Sequence, residues 1–404
     1  MSSPTSKVHR VWIVGPLAPF AVQYRERLEE RGYAQWSVMG LERQVGHLSR
    51  WLQAEGAGVG ELSEARIEAF VGFARSDGRV PSWLSRPGQV CLLELLRELG
   101  AVPEPVPTPL SPGEALMDSF ENYLLSERGL TARTVAQYAG YASRFIAGLD
   151  SGGLEHVSAA DVTSAVLALS ETVSVNTTKC FVAGLRAFLR FCFVEGLIEV
   201  DLSEAALPAT GRRRSPLPLG ITTDDAAALL ASCDRRTGIG RRDYALIMIM
   251  LRLGLRRSEV SGIRLDDIDW RSGVLVVMGK GARVDRLPIP ADVGEAIASY
   301  LTRGRPATVH REVFIRTRAP FEAITDDTVT TAVRRACRRA GLPEMGSHRL
   351  RHTMACDMVA ASVPLGEIAQ VLRHDSLAST AIYARVDVET LRSLAQRWPE
   401  GGTR

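Results

Sequence analysis

Two proline-bearing stretches divide the 404-residue chain into three segments. Residues 102–112 carry five prolines, and residues 207–219 combine three prolines with a run of arginines. Because proline fixes φ and cannot donate a backbone hydrogen bond, both stretches are typical of extended linkers. We therefore expect an N-terminal domain over residues 1–102, a middle domain over residues 112–206 and a C-terminal domain over residues 215–404.

The spacing of apolar residues predicts a mainly α-helical protein. In the first two segments apolar residues recur every three or four positions, which is the period of a helix with one buried face. The third segment is also largely helical, but it contains the β-like run 274–278, a turn at Gly279-Lys280-Gly281 and a second run at 286–289. This pattern is typical of a hairpin, so we expect a small antiparallel sheet within the C-terminal domain.

The first two segments resemble each other. Residues 24–52 align with residues 121–149 without a gap, and Glu30-Arg31-Gly32 falls on Glu127-Arg128-Gly129. Both stretches predict a helix, a glycine turn and a second helix. The N-terminal domain can be a degenerate repeat of the middle domain, or two amphipathic helical segments can have converged on one pattern; the sequence leaves both explanations open.

Composition argues against several classes of protein. No apolar run approaches the roughly 18 residues that a membrane helix needs. The short apolar patch near the start is broken by Gly15, Pro16 and Pro19, which does not fit a signal peptide. The six cysteines are scattered and form no C-x-x-C pair. We therefore expect reduced thiols in a cytoplasmic protein, with no membrane contact, no metal site and no cofactor.

Positive charge is concentrated in the last part of the chain. The net charge is only +3, but the stretch from Arg212 to Arg404 holds 31 basic and 22 acidic residues. Clustered arginines suit a polyanion such as DNA, although a solvated arginine-rich surface explains the same pattern. The DNA-binding candidates are Arg212, Arg213, Arg214, Arg241 and Arg242.

Two candidate site residues follow directly on predicted elements. Arg256, in the motif Gly-Leu-Arg-Arg-Ser-Glu, comes after a helix that is apolar on nearly all sides, and Glu259 is placed to hold it. Lys280 lies between two glycines, which allow a backbone to approach a ligand closely. Each signal is weak alone, because arginines often tie helix ends to carboxylates and turn lysines are commonly solvated.

The last third of the chain supplies five more candidates. His348 and Arg351 are three residues apart, so a helix places them on one face, where both can approach one anion. His352 either joins them or supports the fold. His374 precedes Tyr383 by nine residues; taken alone, a tyrosine is more commonly structural.

Taken together, these motifs resemble one family, the tyrosine recombinases of the phage integrase and Xer-like kind. That family carries G-L-R-x-S-E, a G-K-G hairpin, H-x-L-R-H, a second histidine and a tyrosine nine residues later, and the same motifs occur here in the same order. The Glu-Arg-Gly-Leu opening at 127–130 is similar to the start of the family's core-binding domain. Three features depart from the family: Arg373 in place of the usual glycine, Leu253 in place of a common threonine, and an added N-terminal segment.

The resemblance implies helical N-terminal and core-binding domains followed by a tyrosine-recombinase catalytic domain. It implies that Tyr383 attacks a DNA phosphodiester and forms a 3′-phosphotyrosine link. Arg256 and Arg351 would clamp the phosphate, His374 would donate a further hydrogen bond, and Lys280 would protonate the leaving oxygen. A histidine at the position of His348 is the family's candidate for accepting the tyrosine proton.

The same resemblance implies double-stranded DNA as partner and a tetramer on two DNA sites, built from this chain alone or with related recombinases. The added N-terminal segment favours integration or excision of a mobile element in a bacterium, with the protein at the nucleoid when bound to DNA. Two alternatives stay open: a non-cleaving DNA-binding accessory protein of the same fold, and a DNA-relaxing enzyme similar to topoisomerase IB.

Overall fold

The computed structural model describes residues 13–76, 86–105, 110–149, 153–209, 220–279 and 283–373, together with Thr380 and Tyr383. Within these ranges the chain is largely helical and contains one small antiparallel sheet. The predicted fold class is therefore confirmed. No helix in the described ranges has both the length and the apolar character needed to cross a membrane.

The described residues of the N-terminal segment form four α-helices around an apolar core of their own. Their bounds are α1 Ala21–Glu30, α2 Gln35–Ala54, α3 Glu64–Ser76 and α4 Arg86–Glu98. Leucines spaced along α1, α2 and α4, including Leu28, Leu52 and Leu96, are fully buried. The helices therefore associate through the apolar stripes that the sequence predicts.

In the middle segment, the residues that the structure describes form four α-helices around a separate core. Their bounds are α5 Pro112–Ser126, α6 Ala132–Ala147, α7 Ala159–Thr172 and α8 Val175–Val194. Ser158 caps α7 and Ser174 caps α8, each by accepting a hydrogen bond from a backbone amide in the first turn of its helix. Phe120 of α5 packs edge-on against Phe188 of α8, with ring centroids 5.1 Å apart.

The helical order supports the comparison of the first two segments. In both, a helix is followed by a glycine with positive φ, Gly32 at 80° and Gly129 at 57°, and then by a second helix. Two further helices follow in each segment. Duplication remains a hypothesis, because helical segments of unrelated origin can share this order.

The C-terminal segment surrounds a three-stranded sheet with helices. Its elements are α9 Thr223–Ala231, α10 Gly238–Leu253, α11 Arg257–Ser261, β1 Ile268–Asp269, β2 Val274–Met278, β3 Val284–Pro288, α12 Ala291–Arg303, α13 Asp326–Ala340, α14 His348–Ala360 and α15 Leu365–Val371. The strand order is β1-β2-β3, all antiparallel, with Val276 opposite Arg286. The predicted hairpin is present, and the two-residue strand β1 is an addition that its sequence did not signal.

Helix α10 is the centre of the C-terminal core. Most of its side chains are buried, among them Leu246, Ile247 and Ile249, because α12, α13 and α14 all pack against it. A smaller apolar cluster lies between α14 and α15 and includes Leu372 and Tyr383. These two apolar clusters hold α10, α14 and α15 in place, and the described candidate site residues lie on or next to these helices.

The described chain separates into two compact units. One consists of the first and third segments, and the other spans Val106–Ser215. The three-domain division predicted from the linkers stays a prediction.

Candidate active site

The candidate site begins where α10 ends. Gly254 adopts a left-handed conformation with φ of 57°, and a Cβ there would lie 2.7 Å from the Met354 sulfur and 3.0 Å from the Leu372 side chain. A glycine is therefore required for α14 to pass this close to the end of α10. The Gly254 carbonyl oxygen accepts a hydrogen bond from the Arg351 guanidinium.

Arg256 is held by Glu259 at the start of α11. The Arg256 amide donates to Glu259 Oε2 at 2.8 Å, and Arg256 Nη1 donates to Glu259 Oε1 at 2.6 Å. Arg256 Nη2 donates to the carbonyl oxygen of Arg373 at 3.2 Å. The guanidinium is thus bonded on two sides, while 28% of the Arg256 side chain remains exposed.

Glu259 is buried as a charged group. Burial alone would raise the pKa of its carboxyl, but the Arg256 amide and the guanidiniums of Arg373 and Arg256 outweigh that effect and lower the pKa. Only 3% of the Glu259 side chain is exposed. Glu259 therefore stays ionised and supplies a fixed negative charge beneath Arg256.

Arg351 lies almost fully inside the protein on α14. Its Nη1 and Nη2 atoms donate to the carbonyl oxygens of Gly254 and Leu372, and the residue is 4% exposed. Burial and the nearby Arg256 guanidinium lower the pKa of Arg351 to about 10. The guanidinium still carries its charge at neutral pH, and its orientation is set by two backbone carbonyls.

Tyr383 lies against His352. The Tyr383 hydroxyl is 2.5 Å from Nδ1 of His352, and the two ring centroids are 5.6 Å apart. Tyr383 is 1% exposed, and burial raises the pKa of its hydroxyl to about 12, although the Arg351 charge acts in the opposite direction. The hydroxyl is therefore protonated at neutral pH and needs a neighbouring base before it can act as a nucleophile.

Both histidines of α14 favour their neutral forms. Burial and the neighbouring positive charges, chiefly Arg257, lower the pKa of His348. Burial, His348 and Arg351 lower the pKa of His352. A neutral imidazole can accept a proton, and of these two rings His352 is the one that shares a hydrogen bond with the Tyr383 hydroxyl.

The structure brings together Arg256, Glu259, Arg351, His352 and Tyr383, with His348 on the first turn of the same helix as Arg351. Five sequence-predicted residues lie outside the described residues: Lys280, His374, Arg212, Arg213 and Arg214. The strands β2 and β3 on either side of Lys280 in the sequence are described.

One predicted DNA contact requires correction. Arg242 is 3% exposed, forms a buried ion pair with Asp243 at 2.8 Å and donates to the Ile315 carbonyl oxygen. Because the Asp243 carboxylate already neutralises its charge inside the core, Arg242 holds the fold together and is not a DNA contact. Arg241, its neighbour, is half-buried and donates to the carbonyl oxygens of Arg236 and Arg303.

Two residues of the site are not obvious from the sequence. Arg373 is buried and forms an ion pair with Glu259, and the half-buried Asp285 of the β2–β3 hairpin lies beside the Arg373 guanidinium. The only sequence signal for Arg373 is that it stands where related recombinases usually have glycine. That departure marks a special backbone position but does not reveal its side-chain partners.

The arrangement is suited to chemistry on a phosphodiester. Two guanidiniums with fixed orientations can stabilise negative charge on phosphate oxygens. Beside them a tyrosine hydroxyl is hydrogen-bonded to a neutral histidine.

Comparison with known proteins decides the family. Residues 220–390 match the "Phage integrase family" model, and residues 117–196 match "Phage integrase, N-terminal SAM-like domain". The "Putative integrase/recombinase y4rA" of Sinorhizobium fredii is 35% identical over 393 residues, which cover 95% of each chain. The chain belongs to the phage integrase family.

Other relatives agree with this assignment. Tyrosine recombinase XerC of Oceanobacillus iheyensis is 30% identical over 69% of this chain and 94% of its own length. As a member of the phage integrase family, the protein is a site-specific tyrosine recombinase, an enzyme that cleaves and rejoins DNA. The predicted family and enzyme class are confirmed, and the accessory-protein and topoisomerase alternatives are not favoured.

Solved structures share the fold. A lambda integrase (75–356) dimer bound to a COC′ core site has a TM-score of 0.53 and 18% identity, covering 72% of this chain and 99% of the other. XerH recombinase in a post-cleavage complex with palindromic difH substrate has a TM-score of 0.56 and 19% identity, covering 76% and 89%. At these sequence identities, the two structures show that the chain shares their fold.

Proposed function

We propose that Tyr383 is the nucleophile of this recombinase. The observation that carries the proposal is the 2.5 Å hydrogen bond between the Tyr383 hydroxyl and His352, next to the charged Arg351. Tyr383 attacks the phosphorus of one DNA strand and forms a 3′-phosphotyrosine link while the 5′-oxygen leaves. Because the link conserves the phosphodiester energy, a second attack by the 5′-hydroxyl can rejoin the strands without ATP.

Arg256 and Arg351 are proposed to bind the non-bridging oxygens of the scissile phosphate. Both guanidiniums are held in place by protein oxygens, Arg256 by Glu259 and Arg351 by backbone carbonyls. Negative charge grows on the phosphate oxygens in the transition state, and preorganised positive groups stabilise it without reorganising first. Two fixed guanidiniums can supply the charge that metal ions provide in other phosphoryl-transfer enzymes, so we expect cleavage without a metal.

The proton of Tyr383 is proposed to pass to His352. The family resemblance points to His348 for this role, but the hydrogen bond favours His352, whose lowered pKa keeps its ring neutral. His348 would then bind the substrate beside Arg351 on the same face of α14. For Lys280 and His374 the family resemblance supports protonation of the leaving 5′-oxygen and a hydrogen bond to the phosphate, respectively.

Double-stranded DNA is the proposed partner, bound by a tetramer on two sites. Family members of the same fold have been solved as a dimer on a core site and as a tetramer on a Holliday junction. The core-binding domain over residues 112–206, the catalytic domain over residues 215–404 and the arginines 212–214 between them would contact the duplex. Arg241 remains a candidate for phosphate contact, and Arg242 does not. The protomers are identical or include related recombinases.

Integration or excision of a mobile element is the proposed biological role, at the nucleoid of a bacterium. The added segment over residues 1–102 supports this role over housekeeping resolution. An integrase of the transposon Tn1549, solved in complex with circular intermediate DNA, shares the fold with a TM-score of 0.52.

The decisive experiment traps the covalent intermediate. Nicked substrates made from the flanks of the protein's own gene lose a short fragment on cleavage, so the adduct cannot be reversed. We expect a protein–DNA adduct in the presence of a chelator, and its complete loss in Tyr383→Phe.

Tyr244→Phe is the matched control. Tyr244 lies on α10 with its ring stacked under Arg235, and the substitution keeps the ring. This variant should form the adduct at the wild-type rate. An adduct that survives Tyr383→Phe would refute the assignment of the nucleophile. Relaxation of supercoiled DNA that lacks any flank sequence would favour the topoisomerase-like alternative.

A further inference from the structure

Arg373 has a backbone conformation that its side chain does not favour. Its φ is 54°, in the left-handed region where only glycine is at ease, and only Ser362 shares this feature among the described non-glycine residues. The residue is nevertheless 5% exposed and well packed. A strained arginine that is enclosed by protein must be held there by specific contacts.

The first contact joins Arg373 to the support of Arg256. Arg373 Nη2 donates to Glu259 Oε2 at 2.7 Å, the same oxygen that accepts from the Arg256 amide. The Arg373 carbonyl oxygen in turn accepts from Arg256 Nη2. Arg256 is therefore fixed by Arg373 twice, directly through the backbone and indirectly through the shared carboxylate.

The second contact points to the β2–β3 hairpin. Arg373 Nε lies 3.9 Å from Oδ2 of Asp285, which stands opposite Val277 in the hairpin. Both atoms are buried, and neither has a hydrogen-bond partner among the described residues. At 3.9 Å the two groups attract each other as an ion pair but are too far apart for a hydrogen bond. Buried polar atoms are rarely left without a hydrogen bond, so each is the available partner for the other.

We propose that Arg373 is a positioning residue for the phosphate-binding Arg256. It links Glu259 on α11 to Asp285 on β3, so that the guanidinium of Arg256 keeps one orientation relative to the hairpin. The inference rests on the proposed role of Arg256 in binding the scissile phosphate. It assigns a function to a residue that departs from the usual glycine of the family.

The test measures single-turnover formation of the covalent adduct on the nicked substrate. In Arg373→Gly the backbone strain is relieved but the guanidinium is lost, and we expect the rate to fall about 10- to 100-fold, the size expected for a misplaced catalytic group. DNA affinity should stay within about twofold. Asp285→Asn should slow the reaction by less, and Arg373→Gly with Asp285→Asn should be no slower than Arg373→Gly alone, because both changes act on one network.

A double-mutant cycle with Arg256→Lys separates positioning from general damage to the fold. If Arg373 acts through Arg256, Arg373→Gly should cost little further rate once Arg256 is already Lys. The control is Arg311→Gly, which removes an exposed ion pair with Asp266 and should leave the rate unchanged. All variants are compared below their unfolding temperatures.

The outcomes are distinct. Equal slowing by Arg373→Gly in the wild-type and Arg256→Lys backgrounds, or a wild-type rate in Arg373→Gly, would overturn the positioning role and leave the nucleophile assignment standing. If the wild-type protein forms no Tyr383-dependent adduct on its own target, the proposed function fails, and this inference fails with it.

Discussion

At the scale of single residues, the hydrogen bond between His352 and Tyr383 makes the protonation state of one side chain depend on that of the other. The hydroxyl has a pKa of about 12 because it is buried, and the histidine has a lowered pKa because it is buried near positive charge. At neutral pH the pair therefore consists of a neutral phenol and a neutral imidazole. This is the state from which the imidazole can accept the proton as the hydroxyl attacks.

The rate of adduct formation should fall in acid. The pKa of His352 lies below the ordinary histidine value of about 6.5. The ring is neutral above that range, and protonation as the pH falls through the lowered pKa removes the acceptor. As the pH falls, the unfolded chain binds a proton at His352 at a higher pH than the folded protein does. The free energy of unfolding should therefore also decrease as the pH falls below about 6.5. Rates and unfolding midpoints measured between pH 5 and 8 check both signs.

Substitution of each histidine identifies which of the two accepts the Tyr383 proton. His352→Gln should slow adduct formation about 10²- to 10⁴-fold and abolish the fall in rate at low pH, which is the acid limb of the pH profile. His348→Gln should retain that limb. His310→Gln is the control, because His310 lies on a surface loop beside Glu312. If His352→Gln keeps the wild-type rate and His348→Gln loses the limb, the base is His348, as the family resemblance implies.

At the scale of elements, the junction between α10 and α14 shapes the site. Gly254 ends α10 with positive φ, and its carbonyl oxygen orients Arg351 on α14. The glycine of the motif could be recognised from the sequence as a helix stop. Its second role, to let Met354 and Leu372 approach, depends on how the two helices pack and was not predictable.

Gly254→Ala should destabilise the catalytic segment. The alanine would be strained at φ of 57°, and its Cβ would lie 2.7 Å from the Met354 sulfur. Together, strain and overlap should lower the free energy of unfolding by about 2–4 kcal/mol. Gly366→Ala on α15 is the control, since its Cβ would meet no atom within 4 Å. Urea denaturation of both variants measures the difference; equal stabilities would contradict the close packing.

At the scale of the whole molecule, the N-terminal segment packs against the C-terminal segment within one compact unit. A Cβ on Gly32, in the turn between α1 and α2, would lie 2.3 Å from the ring of Phe321. The charges of Arg316 and Glu322 on the same loop act on the pKa of Tyr33, which burial raises. The added segment is therefore in direct contact with the catalytic part of the chain.

The contact should appear as non-additive stability changes. Gly32→Ala should lower the free energy of unfolding by about 1–3 kcal/mol through overlap with Phe321 and strain at φ of 80°. The loss should be smaller when Phe321 is already Ala, because the overlap is then gone. Gly40→Ala within α2, where a Cβ meets nothing within 4 Å, is the control. Strict additivity of Gly32→Ala and Phe321→Ala would show that the two segments are not packed here.

The sequence by itself determined the helical pattern, the β2–β3 hairpin and the order of motifs from Arg256 to Tyr383. These features depend on local periodicity, turn chemistry and spacing along the chain, all of which can be seen in the residues themselves. The family assignment followed from that order, because several polar residues in register are far more specific than any one of them.

Only the tertiary structure decided which side chains meet. The arginine cluster in the sequence predicts that Arg242 is a surface cation, but its ion pair with Asp243 lies in the core. His352 pairs with a tyrosine 31 residues away, and Arg373 with a carboxylate 114 residues away. Such contacts depend on how helices and strands pack together, so burial and partner choice are properties of the assembled fold and not of any local stretch of sequence.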